Sequence, residues 1–147
     1  MSKAVDSASG TPVEGVFANL SPDAFHLWAT HYYQCRQTFR SPDPFSPVPY
    51  FLLCRAIELE FKARHLGAKR QVQVKHAYWH DLVKSYNGLS ASEQNLSDEE
   101  FALLSDASAI YKGKGFEYFD PVDALTGFSR FPDLALLDAL AKKIISR

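Results

Sequence analysis

The sequence has few cysteines, little net charge and no long apolar run. Its two cysteines, Cys35 and Cys54, sit among apolar neighbours, which predicts buried free thiols rather than a disulfide framework or a zinc site. A reducing compartment, the cytoplasm, fits this usage. No stretch approaches the roughly 18 apolar residues of a membrane-spanning helix. The N-terminus lacks the apolar core of a signal peptide, so no membrane partner is expected.

The charge balance argues against constitutive binding to a polyanion. The formal net charge is −1, whereas such binding normally needs a strong positive excess. One basic stretch, GAKRQVQVKH over residues 67–76, has two interpretations. It is either a local basic patch that binds an anion or a solvated loop. With 46% apolar residues, the chain has the composition of one globular domain. We expect a flexible N-terminal segment over residues 1–15 and a single domain over residues 16–147.

Helical periodicity and capping residues predict an all-α fold. Ser21 and Pro22 open a first helix that reaches about residue 40. Further helices are expected over about residues 48–66, 82–87, 98–111 and 133–145, with an irregular, partly extended aromatic piece at 116–119. Ser97 and Glu100 have the spacing of a capping box at the start of the fourth helix. The class is therefore an antiparallel bundle of four to five helices. The first helix should bury one apolar face: Phe25, Trp28, Ala29, Tyr32, Cys35 and Phe39.

The second helix is apolar on two sides. One stripe contains Val48, Leu52, Ala56, Leu59, Ala63 and Leu66, and the other contains Cys54, Ile57 and Phe61. Such a helix is central in a bundle or is shared with a partner chain. The second stripe and the abundant aromatic residues are the basis for expecting a homodimer.

A polar row on the same helix admits two interpretations. Arg55, Glu58, Lys62 and His65 share a face, as a solvated ion-pair row or as the wall of a cleft closed by His80 and Asp81. Asp81 is predicted to cap the third helix, and His80 to hydrogen-bond Glu58. Later, Lys112 and Lys114 in the aromatic-rich YKGKGFEYF could hold a phosphate, or the stretch could stack a base. Alternatively, that stretch is a turn whose three aromatic residues plug the bundle: Phe116, Tyr118 and Phe119.

The pattern PYFLLCRAIELEFKARHLGAKR…HAYWHDL resembles the helical core of HEPN-like domains. The matching positions are Ala56, Glu58, Leu59, Lys62, Ala63, Leu66, His80, Asp81 and Leu82, while Trp79 stands where the family has a glycine. The resemblance implies a small helical bundle that is commonly dimeric. Many such domains are metal-independent RNases of toxin–antitoxin or defence systems, with an R-x4-6-H motif near a late helix. Others lack that motif and bind ligands, RNA or proteins.

The nuclease motif is not where the resemblance would place it. Arg70 and His76 have a suitable spacing, but they follow the second helix, and the late position holds YKGKGFEY without a histidine. We therefore expect a non-catalytic, dimeric module that binds a nucleotide, RNA or a protein, with neither metal nor cofactor. Its predicted ligand-binding residues are Glu58, Lys62, His80, Asp81, Lys112 and Lys114.

Two enzymatic alternatives stay open. A metal-independent RNase would use Arg70 with His76, or His80 with Lys62. A metal phosphohydrolase would need further ligands around the His-Asp pair, and its set would be His31, His80, Asp81 and Asp106.

Overall fold

The regular structure of the chain is helical. The computed structural model describes residues 21–67, 78 and 80–146, and within these ranges it contains no strand. The helices are α1 (Pro22–Thr38), α2 (Val48–His65), α3 (Leu82–Asn87), α4 (Asp98–Lys112), α5 (Pro121–Leu125) and α6 (Leu134–Ile145), with a 3₁₀ turn at Ala91–Glu93. The predicted all-α bundle is confirmed, with one additional short helix, α5. Over the described ranges, no helix combines the length and apolarity needed to cross a membrane.

Four of the five predicted helix starts are confirmed by capping hydrogen bonds, while α2 begins at Val48 as predicted but after Pro47, which makes no side-chain cap. The Ser21 hydroxyl accepts the first of these bonds, from the third residue beyond it, at 3.1 Å. Ser97 and Glu100 form both bonds of the capping box, at 3.1 and 2.9 Å. Asp81 and Asp133 accept backbone N–H groups in the first turns of α3 and α6. Each cap satisfies donors that the helix itself leaves unpaired, which is why these starts are readable from sequence.

α2 lies at the centre of the bundle and is covered on both sides by its own chain. The stripe of Cys54, Ile57 and Phe61 is buried in one cluster with side chains of α3, α4 and α6. On the other side, Ala56 and Leu59 are buried against α1 and the end of α6. The second stripe therefore faces the core and gives no reason to expect a partner chain, so that part of the argument for a dimer was wrong.

α1 is an outer helix and buries less of its apolar face than predicted. Ala29 is fully buried, but Trp28 is 53% exposed and Cys35 is exposed. The packed side instead carries Phe25, Ala29, Tyr32 and Tyr33. Successive helical residues are about 100° apart, so a helix that packs on one side leaves Trp28 outside when Ala29 is inside. The prediction of two buried thiols was thus right for Cys54 and wrong for Cys35.

The aromatic segment after α4 forms turns rather than an extended piece. Residues 113–117 are in turns, and Lys114 has a left-handed backbone conformation with φ 61°. Phe116 is buried at 4% exposure, as the plug interpretation required, whereas Tyr118 and Phe119 are 69% and 76% exposed. Only the first of the three aromatic residues therefore plugs the bundle.

Candidate functional site

A carboxylate of α2 is buried within the bundle, and its negative charge is compensated there by basic side chains. Glu58 is 3% exposed. Lys62, one turn later, donates to its Oε2 over 2.7 Å, and Arg55, one turn earlier, donates to its Oε1 over 3.2 Å. A buried carboxylate is costly unless it is paired and hydrogen-bonded, so these contacts are what keep Glu58 inside the fold.

Two residues distant in sequence complete the shell of Glu58. His80 Nδ1 lies 3.0 Å from Oε2, and the Tyr111 hydroxyl donates to Oε1. The predicted contact between His80 and Glu58 is therefore present. Tyr111 was not predicted, and the sequence offers only the general rule that a buried tyrosine hydroxyl needs a partner. We call Glu58 and its four contacting side chains the Glu58 centre: Arg55, Glu58, Lys62, His80 and Tyr111.

The electrostatics of the Glu58 centre keep the carboxylate ionised. Burial alone would raise the pKa of Glu58, but Lys62, Tyr111 and Arg55 together hold that pKa below its usual value. Burial and the nearby Glu58 charge raise the pKa of Tyr111, so this phenol stays neutral and donates its proton. One carboxylate thus faces two basic side chains, Lys62 and Arg55, and the centre carries a positive surplus.

Asp81 lies beside the centre and has the structural role predicted for it. Its Oδ1 accepts the backbone N–H of Lys84 at 3.0 Å, and its Oδ2 lies 3.4 Å from Lys112 Nζ. Burial favours a raised pKa for Asp81, yet these two contacts lower the pKa overall. Asp81 is therefore a charged helix cap whose partner lysine comes from the end of α4.

A polar depression of about 440 Å³ lies between α3 and α4 at this point. Its lining includes Asp81, Lys84, Asn87, Ser105, Ser108 and Lys112. No residue of the Glu58 centre lines the depression, but two of them directly precede lining residues in the chain: His80 precedes Asp81, and Tyr111 precedes Lys112. Two exposed lysines at its edge give it a positive rim.

The other predicted ligand residues lie elsewhere. Lys114 pairs with Glu117 at 3.7 Å in the turn after α4 and does not line the depression. Arg70 and His76 lie outside the described residues. His65 was predicted to share a polar face with Glu58, but its imidazole hydrogen-bonds to α3. It is buried, and its Nε2–H donates to the Ser85 carbonyl at 2.8 Å, which ties α2 to α3.

The residues proposed for a metal phosphohydrolase do not assemble. His31 and Asp106 are exposed on α1 and α4, apart from the His80–Asp81 pair. Throughout the described ranges, no three histidine, cysteine, aspartate or glutamate side chains gather where they could hold a metal ion. That set of ligands was therefore wrong.

A second buried carboxylate on α2 was missed by the sequence reasoning. Glu60 is fully buried, with His26 Nδ1 2.5 Å from one oxygen and Arg64 Nε 3.5 Å from the other. Arg64 also donates to the Ile144 carbonyl near the end of α6. This cluster fastens α1 and α6 to α2. Glu60 stands between the apolar Leu59 and Phe61, and only this position in the sequence could have indicated that it is buried.

No model of a known protein family matches this chain, and neither does any curated protein or solved structure with which it was compared.

Proposed function

We propose that this chain is a non-catalytic helical module, HEPN-like in its pattern, that forms a homodimer and binds the phosphate of a nucleotide or RNA between α3 and α4. The observation that carries the proposal is the polar depression with Lys84 and Lys112 among its lining residues. Both lysines are exposed, and the Lys112 ammonium, 3.4 Å from Asp81, is 53% exposed and can also reach a phosphate.

The charges around the depression favour an anionic ligand. Asp81 contributes the one carboxylate of its lining, and that carboxylate already caps α3 and contacts Lys112. Lys84, Lys112 and the two cations of the Glu58 centre outnumber the two carboxylates, Glu58 and Asp81. Asn87 and Ser105 add hydrogen-bonding groups that suit a nucleotide or a short stretch of RNA.

The experiment is a titration of the purified chain into fluorescently labelled single-stranded RNA and into a labelled nucleotide, read by fluorescence anisotropy. The variant carries Lys84→Gln and Lys112→Gln, at two exposed positions where neutralisation should leave folding intact. Each lost phosphate contact should lower the slope of log Kd against log salt by about 0.7 for single-stranded RNA. We expect the double variant to bind at least about 10-fold more weakly than the unmodified chain at low salt.

The matched control is Lys142→Gln, which removes one exposed lysine of α6 away from the depression. This variant should bind as the unmodified chain does. An equal loss in the control would reveal non-specific charge attraction. A double variant with unchanged affinity would remove the depression as the site, and failure of the unmodified chain to bind either ligand at low salt would refute the anionic ligand itself.

Exposed apolar side chains on α1 support the homodimer. Leu27 and Trp28 are neighbours on α1 and are 52% and 53% exposed, and contiguous exposed apolar surface is typical of contact sites between chains. Sedimentation velocity at micromolar concentration should show a dimer that Trp28→Glu converts to a monomer. Leu125→Glu, at an 86% exposed position of α5, is the control and should leave the dimer intact. A monomer at all concentrations would refute this part of the proposal.

A metal-independent RNase is the second candidate, and one contact favours it. His80 Nδ1 is held by the Glu58 carboxylate, the arrangement that orients an imidazole for proton transfer, and Lys62 binds the same carboxylate. The test is incubation of RNA with the chain in EDTA, compared with His80→Ala and His76→Ala separately. The RNase requires cleavage by the unmodified chain and its loss in at least one variant. Equal degradation by all three proteins would indicate a contaminating nuclease.

A further inference from the structure

An aromatic cavity lies on a part of the molecule that the proposed function does not use. It measures about 350 Å³ and is formed by the loop before α2, the turns after α4 and the loop before α6. Its aromatic lining consists of Phe45, Phe116, Tyr118, Phe119, Phe128 and Phe131. A volume above about 300 Å³ is enough for a small organic ligand.

The aromatic side chains of the cavity are closely packed at one end and exposed to solvent at the other. The rings of Phe45 and Phe128 stack with centroids 3.8 Å apart, and Phe116 meets Phe131 edge to face at 5.0 Å. Phe128 holds this position with φ 59°, a left-handed conformation that is costly for a bulky residue. By contrast, Tyr118 and Phe119 are more than two-thirds exposed. The cavity therefore has a packed floor and two rings at its rim.

Carboxylates line the same cavity, and they outnumber the cations beside them. Asp123 is bound in bidentate fashion by Arg130 at 2.6 and 2.9 Å, and Glu117 pairs with Lys114 at 3.7 Å. Asp120 uses one oxygen to cap α5. No lysine, arginine or histidine among the described residues lies within ion-pair distance of Asp120, although its charge contributes to the raised pKa of Arg130, which is bound to Asp123. Three carboxylates line the cavity and two cations accompany them, Lys114 and Arg130, so the aromatic rings stand beside one surplus negative charge.

We infer that this cavity binds a trimethylammonium group, a cation whose charge is spread over apolar methyl groups. Ring faces attract a cation through their quadrupole, and Asp120 adds a full negative charge. A trimethylammonium group carries no N–H donor, so aromatic walls leave none of its polar groups unsatisfied. A primary ammonium is more strongly hydrated and would lose more on entering such walls. The chain's own Arg130, 5.8 Å from the Phe131 ring centre, already places a cation against this cluster.

The test compares choline with 3,3-dimethylbutan-1-ol, in which a carbon atom replaces the charged nitrogen and the shape is kept. Binding is measured by calorimetry and by NMR shifts of the Tyr118 ring. A cation–π preference corresponds to a choline affinity between about 2-fold and 30-fold higher than that of the neutral analogue. A peptide with trimethyllysine forms a second arm. A lower Kd for the peptide would assign the group to a modified protein, and a lower Kd for choline to a free small molecule.

Variants at the rim separate charge from packing without disturbing the core. Asp120→Asn keeps a capping side chain but removes the charge, so it should weaken choline binding and leave the neutral analogue unaffected. Asp133→Asn makes the same exchange at the N-cap of α6, which does not line the cavity, and should change neither ligand. Phe119→Ala should weaken choline binding, and its 76% exposure makes unfolding an inadequate explanation.

Three results would overturn the inference. The first is no choline or peptide binding at millimolar concentrations. The second is equal affinity for choline and its neutral analogue, which would leave only an apolar hole. The third is choline binding that Asp120→Asn and Phe119→Ala both leave unchanged, which would place the ligand elsewhere. None of these outcomes bears on the depression between α3 and α4.

Discussion

Replacing Lys62 by methionine should destabilise the fold much more than the same replacement at Lys112. Lys62→Met keeps an unbranched apolar stem but removes the ammonium that lies 2.7 Å from the Glu58 carboxylate. That carboxylate is 3% exposed and the Lys62 side chain 13% exposed, so water cannot take over the lost contact. Lys112 is 53% exposed and lies 3.4 Å from a partly exposed Asp81. The two exchanges are chemically identical and differ in burial.

The magnitude follows from the partners that remain. Removing one partner of a buried ion pair costs about 3–5 kcal/mol of unfolding free energy. Arg55, His80 and Tyr111 still contact Glu58 in this variant. We therefore expect Lys62→Met to cost about 3 kcal/mol, at the lower end of that range. An exposed pair contributes about 0.2–1 kcal/mol, which bounds the expected cost of Lys112→Met.

The assay is urea unfolding at neutral pH, followed by far-ultraviolet circular dichroism. The Glu58→Gln variant and the double variant with Lys62→Met complete a double-mutant cycle. Because the double variant has no carboxylate at position 58 that could be left without the ammonium of Lys62, it should be more stable than Lys62→Met alone. Equal losses from Lys62→Met and Lys112→Met would refute the reasoning, as would a cycle in which the two single losses simply add.

Three further predictions concern the same framework. The folded pKa of Glu58 is lowered, so its charge contributes stability that is fully present above the unfolded pKa of about 4.3 and is lost as pH falls through the folded value. The stability difference between the unmodified chain and Glu58→Gln, measured by urea titrations, should therefore shrink below about pH 4, and a constant difference would contradict this. Tyr111→Phe should cost about 1.5–3 kcal/mol, since it removes a hydrogen bond to a charged group, and an unchanged urea midpoint would contradict it. Gly115→Ala should lower the thermal midpoint, because its Cβ would lie 2.6 Å from a side-chain carbon of α4, whereas Gly113→Ala meets nothing closer than 3.5 Å and is the control.

Helix starts were predictable because their causes are local. Ser97 and Glu100 exchange hydrogen bonds within one turn, and Asp81 caps the helix that follows it. α5 was missed because five residues are too few to show an apolar period. The exposure of Trp28 could not be predicted from the sequence either. α1 has apolar residues on more than one side, and only its packing decides which side is buried.

The site was predictable in part for the same reason. Spacing placed Glu58 and Lys62 on one face, and the pattern around His80 suggested that it meets them. Tyr111 lies 53 residues from Glu58, and nothing local in the sequence selects this tyrosine among the others. Asp123 and Arg130 are only seven residues apart, yet they meet across a turn that has no helical period.

The Glu58 centre positions the depression rather than lining it. Glu58 holds His80, which directly precedes the Asp81 cap of α3, and it holds Tyr111, which directly precedes Lys112 at the end of α4. A buried charge cluster is often no more stabilising than apolar residues of the same volume. Its distinct contribution here is geometric, because one carboxylate sets where α3 begins relative to where α4 ends. On the proposal that the depression holds a phosphate, Glu58→Gln should weaken RNA binding in the anisotropy titration although Glu58 does not line the depression, and unchanged affinity would contradict this positioning role.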